Sequence, residues 1–526
     1  MKTPPPGRAD PPDKPAPPSY AGPNGGARMD RRTYLGLDVG TSSVKALLVD
    51  ESQHTLGEAG AALDVSRPQP LWSEQNPDDW KEAVEAAVQT LRRRAPEAFA
   101  ALAGVGLSGQ QHGATFLDGA GRPIRPAILW NDGRAFAECE ELTRNVPDFL
   151  SLAGNLAMPG FTAPKALWLA RHEPEAFAKT QTVLLPKDYV RFRLTGEKVS
   201  EMSDASGTLW LDIAGRRWSD ELLAASGLKR SHMPALVEGS AVSAHLSPAT
   251  LAAWGLQGKI PVAGGGGDNA ASAVGVGAVE AGEGFISLGT SGVVFAVTDK
   301  YVSLPQRTLH AFCHALPERW HGMSVMLSAA ASLAWAAQLV GRGDRVGACV
   351  DAAEAFARDT KAAREAPVFL PYLSGERTPH NDPLATGLFA GLTAAHGPDA
   401  LLYAVMEGVA FSFADGVDVL REAGAAPVAP LLVGGGARSG FWGQMISDAT
   451  GLSIDLAAGA EAGAALGAAR LAMLAAGAGD VATICTRPET HRRFEPNAEW
   501  AALYAPRLAR YRALYGAERG ARGRSA

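Results

Sequence analysis

The sequence predicts an α/β protein of two related domains, and three observations carry that prediction. A chain of 526 residues exceeds what one hydrophobic core ordinarily serves, so two cores are expected. Short β-branched apolar runs alternate with Ala-rich stretches of helical period, the pattern left by strands and helices taking turns along a chain. Finally, Val39-Gly40-Thr41-Ser42-Ser43-Val44 returns as Leu288-Gly289-Thr290-Ser291-Gly292-Val293, each time between one apolar strand and the next. That separation is far too long for a solenoid repeat and fits a doubled domain.

Residues 1–30 are dominated by Pro, Gly and small polar residues and cannot bury enough surface to fold, so a disordered tail is expected. Met29 stands at its edge as an alternative start. No apolar core followed by a small-residue cleavage site marks a signal peptide. Residues 31–280 are expected to form the first domain, with strands at 34–39, 46–49 and 104–107 and a helix at 80–94. Gly-rich sequence near 280–283 marks the boundary. Residues 281–515 are expected to form the second domain, with strands at 285–288, 293–297 and 431–433 and helices at 326–340 and 401–422. The apolar stretch 456–477 is interrupted by Glu461 and Arg470 and is mostly Ala and Gly, which reads as a closely packed buried helix and not a membrane span. Residues 516–526, rich in Arg and Gly, are expected to fray.

Composition narrows the function. The hydrophobic share of 46% with 20% charged residues is globular. A net charge of -6 is mild for this length and supports neither nucleic-acid binding nor a basic membrane-docking face. The four cysteines, Cys139, Cys313, Cys349 and Cys485, show no CxxC and no nearby His pair, which argues against a disulfide framework or structural zinc and fits a cytoplasmic protein.

The chemistry concentrates at glycine-rich strand ends. In Gly36-Leu37-Asp38-Val39-Gly40-Thr41-Ser42 the glycines allow backbone N–H groups to approach a phosphate, while Thr41 and Ser42 add hydroxyl donors. Asp38, at the mouth of that turn, is suited to hold Mg²⁺ through water. The second copy, Gly289-Thr290-Ser291, carries Ser287 where Asp38 would fall, so a metal is expected on one side only. In Gly264-Gly265-Gly266-Gly267-Asp268-Asn269, Asp268 suits a general base toward an attacking hydroxyl and Asn269 a hydrogen bond to a neighbouring one. A helix cap is the alternative role for Asp268. Gly434-Gly435-Gly436, between a strand and a helical run, suits a nucleotide lying on the backbone, and its spacing is not GxGxxG. Gln111 and His112, with Trp130 and Asp132, are the amides, rings and acids that a polyol pocket uses at strand ends.

With these residues in view, the sequence resembles the FGGY carbohydrate kinases from about residue 33 to about 470. The likeness rests on Leu71-Trp72-Ser73-Glu74-Gln75, Trp130-Asn131-Asp132-Gly133-Arg134, Leu185-Pro186-Lys187-Asp188-Tyr189, Gly267-Asp268-Asn269-Ala270-Ala271 and Tyr372-Leu373-Ser374-Gly375-Glu376-Arg377-Thr378-Pro379-His380. It implies two actin-like domains of ribonuclease-H-like topology with the active site in the cleft between them. It further implies Asp268 as the base, Asp38 at the metal and phosphate site, Gln111 and His112 on the ketose, and Gly434, Gly435 and Gly436 on the nucleotide. Departures fall at Ala166, Ala400 and Gln111, where the family commonly has a larger apolar residue, a polar residue and Met respectively. The implied activity is transfer of the ATP γ-phosphate to a small ketose, D-xylulose being the expected one. Kinases of ribulose or gluconate, and an actin-like switch ATPase, are the alternatives; a homodimer is left open.

Overall fold

The computed structural model describes residues 32–343, 345–457 and 463–523; the tail expected at 1–30 lies outside them, as does Glu461. The first sheet starts from an antiparallel meander of β1 (Thr33–Val39), β2 (Ser43–Asp50) and β3 (Thr55–Ala62). Helix α1 (Pro77–Arg94) follows. Asn76 caps its start, Pro77 pre-sets the first turn, and Asp78 and Asp79 face the positive end of the helix dipole. Trp80, Val84, Ala87, Val88 and Leu91 recur at helical spacing, are buried, and form the stripe that packs into the core beneath β1 to β3.

Strand β4 (Leu102–Gly109) returns beside β1 in parallel, the crossover that α1 makes necessary. Two short helices, α2 (Pro186–Thr195) and α3 (Met202–Ser206), precede β5 (Val242–His245) and β6 (Pro261–Ala263). The strand order is β5-β6-β4-β1-β2-β3, with Gly266–Gly267 pairing on the end of β4. Helix α4 (Asp268–Gly275) starts there.

The second sheet repeats the scheme. Strands β7 (Gly284–Leu288) and β8 (Gly292–Thr298) form a hairpin, followed by β9 (His310–Cys313) and β10 (Trp320–Met326). After helices α5 (Ala330–Leu339) and α6 (Pro398–Glu422), β11 (Leu431–Val433) pairs with β7 in parallel. Helix α7 (Gly440–Thr450), β12 (Ile454–Ala457), helix α8 (Gly463–Ala475), β13 (Thr490–Phe494) and helix α9 (Ala498–Arg522) complete it. The order is β9-β10-β8-β7-β11-β12-β13. In both sheets a hairpin strand has its antiparallel partner on one side and a later parallel strand on the other. The repeated Gly-Thr-Ser turn is therefore the outward sign of a repeated topology.

Two expectations are corrected. Met326 ends a strand: residues 320–326 pair with β8 over its full length, from Thr298 opposite Trp320 to Gly292 opposite Met326, and the helix begins at Ala330. A short apolar run fits either period, and seven ladder positions decide it. Residues 516–522 continue α9 because Arg522 reaches Asp382 at 2.6 Å, which anchors the last turn to the 376–382 loop, and pairs with Glu518 one turn earlier at 2.7 Å.

Helix α6 is long and apolar enough to cross a membrane, but 94% of its apolar window is buried inside the protein; it is the central helix of the second core. Helix α8 has a different task. It comes from the second half of the sequence yet packs on β1, β4 and α4 of the first. A methyl on Gly36 or Gly106 would run into the carbonyls of Ala465 or Ala468, so backbone lies directly on backbone there. The Ala-rich composition of α8 is what permits that approach.

Candidate active site

Asp38 is the penultimate residue of β1, flanked by Lys45 on β2 and Ser108 on β4. Burial raises its carboxyl above the usual range, and the Ser108 hydroxyl and Lys45 only partly offset that. The turn beyond it is closed by the Gly40 N–H donating to the Ser43 carbonyl at 3.1 Å. Thr41 is engaged on three sides. Its hydroxyl donates to Gln110 Oε1 and accepts from Trp130 Nε1, each at 3.0 Å, while its carbonyl accepts from Gln75 Nε2 at 2.7 Å. Ser42 is exposed.

Asp268 opens α4, with Gly267 at the capping position. Its Oδ1 accepts from the Asn269 N–H at 2.7 Å and from Asn269 Nδ2 at 3.0 Å. No partner engages Oδ2 among the described residues. Burial pushes the Asp268 carboxyl up to about 6, and the Asp38 charge adds to the rise against the pull of the two Asn269 donors. The Asp38 charge is thus felt at Asp268. They share a cleft of about 510 Å³ with Asn269, Ser287, Gly434 and Gly435, so the cleft is lined from both halves of the sequence.

Gln111 lies across Gly267 and donates from Nε2 to the Ser203 carbonyl at 3.2 Å; a methyl on Gly267 would fall 2.5 Å from that Nε2. It is therefore a direct neighbour of the residue preceding Asp268. His112 has a left-handed backbone (φ 67°), held by Lys165 Nζ and the Thr162 hydroxyl donating to its carbonyl at 2.8 and 3.2 Å. Its ring packs on Phe161 with centroids 4.5 Å apart, and Nδ1 lies 2.7 Å from the Gly207 carbonyl. Burial pulls the imidazole down to about 3, with Lys165 and Arg377 acting in the same sense. The ring is neutral, and since a carbonyl only accepts, the proton sits on Nδ1 and leaves Nε2 as an acceptor.

The structure separates the other sugar-side candidates. Trp130 is 41% exposed, and its indole N–H bonds to Thr41, which ties it to the turn between β1 and β2. Asp132 is buried and spent internally. Its oxygens take the Ser73 N–H at 2.6 Å and the Arg134 guanidinium at 2.9 and 2.7 Å. It fixes the loop, and Arg134 in turn lies over Trp72, 3.6 Å from the ring centre.

In the second half, the carbonyls of Gly289 and Thr290 accept from the Ala330 and Ala329 N–H groups at 2.8 and 3.0 Å, which caps the start of α5. Thr290 is exposed. Gly434 adopts φ 89°, ψ 173°, a region essentially closed to other residues. A methyl there would meet the Leu288 carbonyl, and one on Gly436 would meet the Leu288 side chain, whereas one on Gly435 would meet nothing within 4 Å. Gly435 is the open floor of the turn. Of the sequence-derived candidates, Asp38, Asp268, Asn269, Gly434 and Gly435 line the cleft; Thr41, Ser42, Gln111, His112, Trp130, Asp132, Gly289, Thr290 and Gly436 stand outside that lining. Sequence reasoning gave no role to Gln75, which braces Thr41 and Trp80, or to Ser203, which left no motif.

Comparison with known proteins agrees with this architecture. The model described as "FGGY family of carbohydrate kinases, N-terminal domain" matches residues 33–275, and its C-terminal counterpart matches residues 284–476. The chain is 50% identical over 484 residues to a xylulose kinase of Escherichia coli (strain K12), covering 92% of this chain and 98% of that one. It is 52% identical over 443 residues to a xylulose kinase of Klebsiella pneumoniae, covering 84% and 90%. A crystal structure of the corresponding Brucella ovis kinase superposes with a TM-score of 0.89 at 49% identity, covering 93% of this chain and 100% of that one.

Proposed function

The chain belongs to the FGGY family of carbohydrate kinases, and from that premise we propose that it transfers the γ-phosphate of ATP to D-xylulose, giving D-xylulose 5-phosphate. The observation that carries the mechanism is the pair of carboxylates, Asp38 and Asp268, facing a glycine turn across one cleft. Asp268 accepts the proton of the terminal ketose hydroxyl through Oδ2 as that oxygen attacks the γ-phosphorus in line. Asn269 holds Oδ1 and so aims Oδ2. Gln111 and the neutral His112 pair with sugar hydroxyls, His112 accepting at Nε2. Trp130 closes the sugar side against the phosphate turn, and Asp132 supports it indirectly through Arg134.

The triphosphate lies on the Gly434–Gly436 backbone, with the turns at Thr41 and Ser42 and at Gly289 and Thr290 on either side. Burial raises both carboxylates and the Asp38 charge raises Asp268 further, a pairing that suits a cation at Asp38. Among the described residues no group of three or more acids, His or Cys forms a protein cage. That donor set fits Mg²⁺, which keeps its waters and takes phosphate oxygens. When bound it neutralises charge on the phosphates. The sugar side belongs to residues 31–280 and the nucleotide side to 281–515. Four free, buried cysteines support a reducing compartment, the cytoplasm.

The test is an ADP-release assay over a panel of ketoses and polyols. D-xylulose is expected to give the highest kcat/KM, because each unmatched hydroxyl leaves a polar group unpaired at about 1–3 kcal/mol. A preference for ribulose, gluconate or glycerol overturns the substrate assignment.

A further inference from the structure

The four-glycine run that delivers Asp268 has no side chains with which to order itself, and ordering glycine costs more conformational entropy than ordering any other residue. Besides its backbone bonds to the Ala241 and Gly239 carbonyls and its pairing with the end of β4, two side-chain hydrogen bonds bracket it, and both come from residues outside the cleft. At its start, the Gly264 carbonyl accepts from Arg191 Nη1 at 2.5 Å. At its end, the Gly267 N–H donates to Ser203 Oγ at 3.0 Å. Ser203 also holds Gln111, through its own carbonyl.

Both anchors are fully buried and are themselves fixed by one network of charges. Ser203 Oγ donates to Glu201 Oε1 at 2.9 Å, and Glu201 Oε2 accepts from the Ser203 N–H at 2.8 Å. Arg191 Nη2 lies 2.5 Å from Asp188 Oδ1, and Ser200 Oγ donates to Asp188 Oδ2 at 2.7 Å. The Lys187 ammonium joins the two sides, at 2.7 Å from Asp188, 2.9 Å from Asp204 and 3.3 Å from Glu201. Connected buried networks of this kind rigidify what they touch, here with Arg191 Nε and Asp204 Oδ1 left without a hydrogen-bond partner among the described residues.

We infer that Ser203 and Arg191 are positioning residues that hold the glycine run in place, so that the Asp268 carboxylate and the Gln111 amide keep a fixed distance from one another. Neither touches a ligand. Ser203 meets both groups, Gly267 through its hydroxyl and Gln111 through its backbone carbonyl. Loss of the hydroxyl therefore acts on proton transfer by freeing Gly267, and on sugar binding because Gln111 packs against Gly267, while leaving the nucleotide turn alone. The inference rests on the reading of Asp268 as the base.

The experiment is a double-mutant cycle of Ser203→Ala with Asp268→Asn, scored by kcat and by KM for D-xylulose and ATP per folded molecule. Ser203→Ala is expected to lower kcat about 10- to 100-fold, the scale of a small misplacement of a reacting group. It should raise the xylulose KM and leave the ATP KM unchanged. In the Asp268→Asn background the same change should cost kcat almost nothing, since no base remains to be misplaced. An equal loss in both backgrounds overturns the positioning role and leaves the base reading standing. Near-normal turnover of Asp268→Asn alone overturns the base reading and this inference with it. Should Ser203→Ala not fold, Arg191→Lys serves: one ammonium replaces two guanidinium nitrogens that act at once on Gly264 and Asp188, and the same pattern is expected.

Discussion

Asp268 sits where burial and the Asp38 charge bring its carboxyl to about 6, near the range in which a general base works best at neutral pH. Asp268→Asn keeps the shape but cannot take a proton. Turnover should fall about 10²–10⁴-fold while calorimetric titration still registers ATP and xylulose; loss of both would mark a structural cap instead. The base acts ionised, so kcat/KM should be flat at alkaline pH and fall as pH drops through about 6. A cation held at Asp38, as proposed, would remove part of the like charge and move that limb lower. His112, near 3, cannot supply it. The raised carboxyl also means that ionising Asp268 costs the folded state above its folded value and nothing once both states are protonated. Asp268→Asn should therefore melt higher than the parent at pH 8, the gap closing as pH falls toward 4. The meeting of Asp38, Asp268 and the 434–435 glycines was legible in the sequence because each sits at a strand end, and strand ends of such sheets share a mouth. The commitment of Asp132 was not: its spacing to Arg134 does not say whether a carboxylate folds back on its neighbour or turns outward. Ser203 left no trace, since a hydroxyl bonded to a backbone N–H looks like any other serine.

At the scale of the element, the turn after β11 divides its duties among three glycines, and substitution should separate them. Gly434→Ala forces a residue with a Cβ into φ 89°, ψ 173° against the Leu288 carbonyl, at about 1–3 kcal/mol, and should lower the melting temperature. Gly435→Ala meets no neighbour; it should leave melting unchanged and raise the ATP KM, because its methyl projects into the cleft. Identical behaviour of the two variants in thermal melts and ATP kinetics would refute this division. Strand-turn-strand units were legible from β-branched runs and glycine punctuation, and α1 from its cap and stripe. The β10 strand was not, because a run such as Met323-Ser324-Val325-Met326 satisfies strand and helix alike until its partner β8 is known. The last turns of α9 escaped for a related reason: their stability comes from Asp382, 140 residues upstream of Arg522, and not from local propensity.

For the whole molecule, the doubled topology was legible from one repeated turn, but the crossing of α8 was not. Its alanines announced close packing without naming the surface. That surface is the first sheet, so the two halves of the sequence are not two independent folding units. Residues 1–280 produced alone should show no cooperative melt and should bind hydrophobic dye at the uncovered β1 and β4 face. Mixing them with residues 281–526 should restore the melt and the kinase activity. A cooperative melt from 1–280 by itself would show that α8 only decorates the sheet.

The contact of Gly36 and Gly106 with Ala465 and Ala468 also sets a clock on synthesis. A ribosome delivers the first sheet early and its covering helix last, and at about 5–20 residues per second the interval is roughly 20–70 seconds. For that time an apolar face built for backbone contact, edged by glycines that present no side chain of their own, stands open in the crowded space outside the exit tunnel. An apolar face left open for that long is the kind of surface that holdase chaperones cover. The enzyme matures at one late moment, when its last hundred residues arrive.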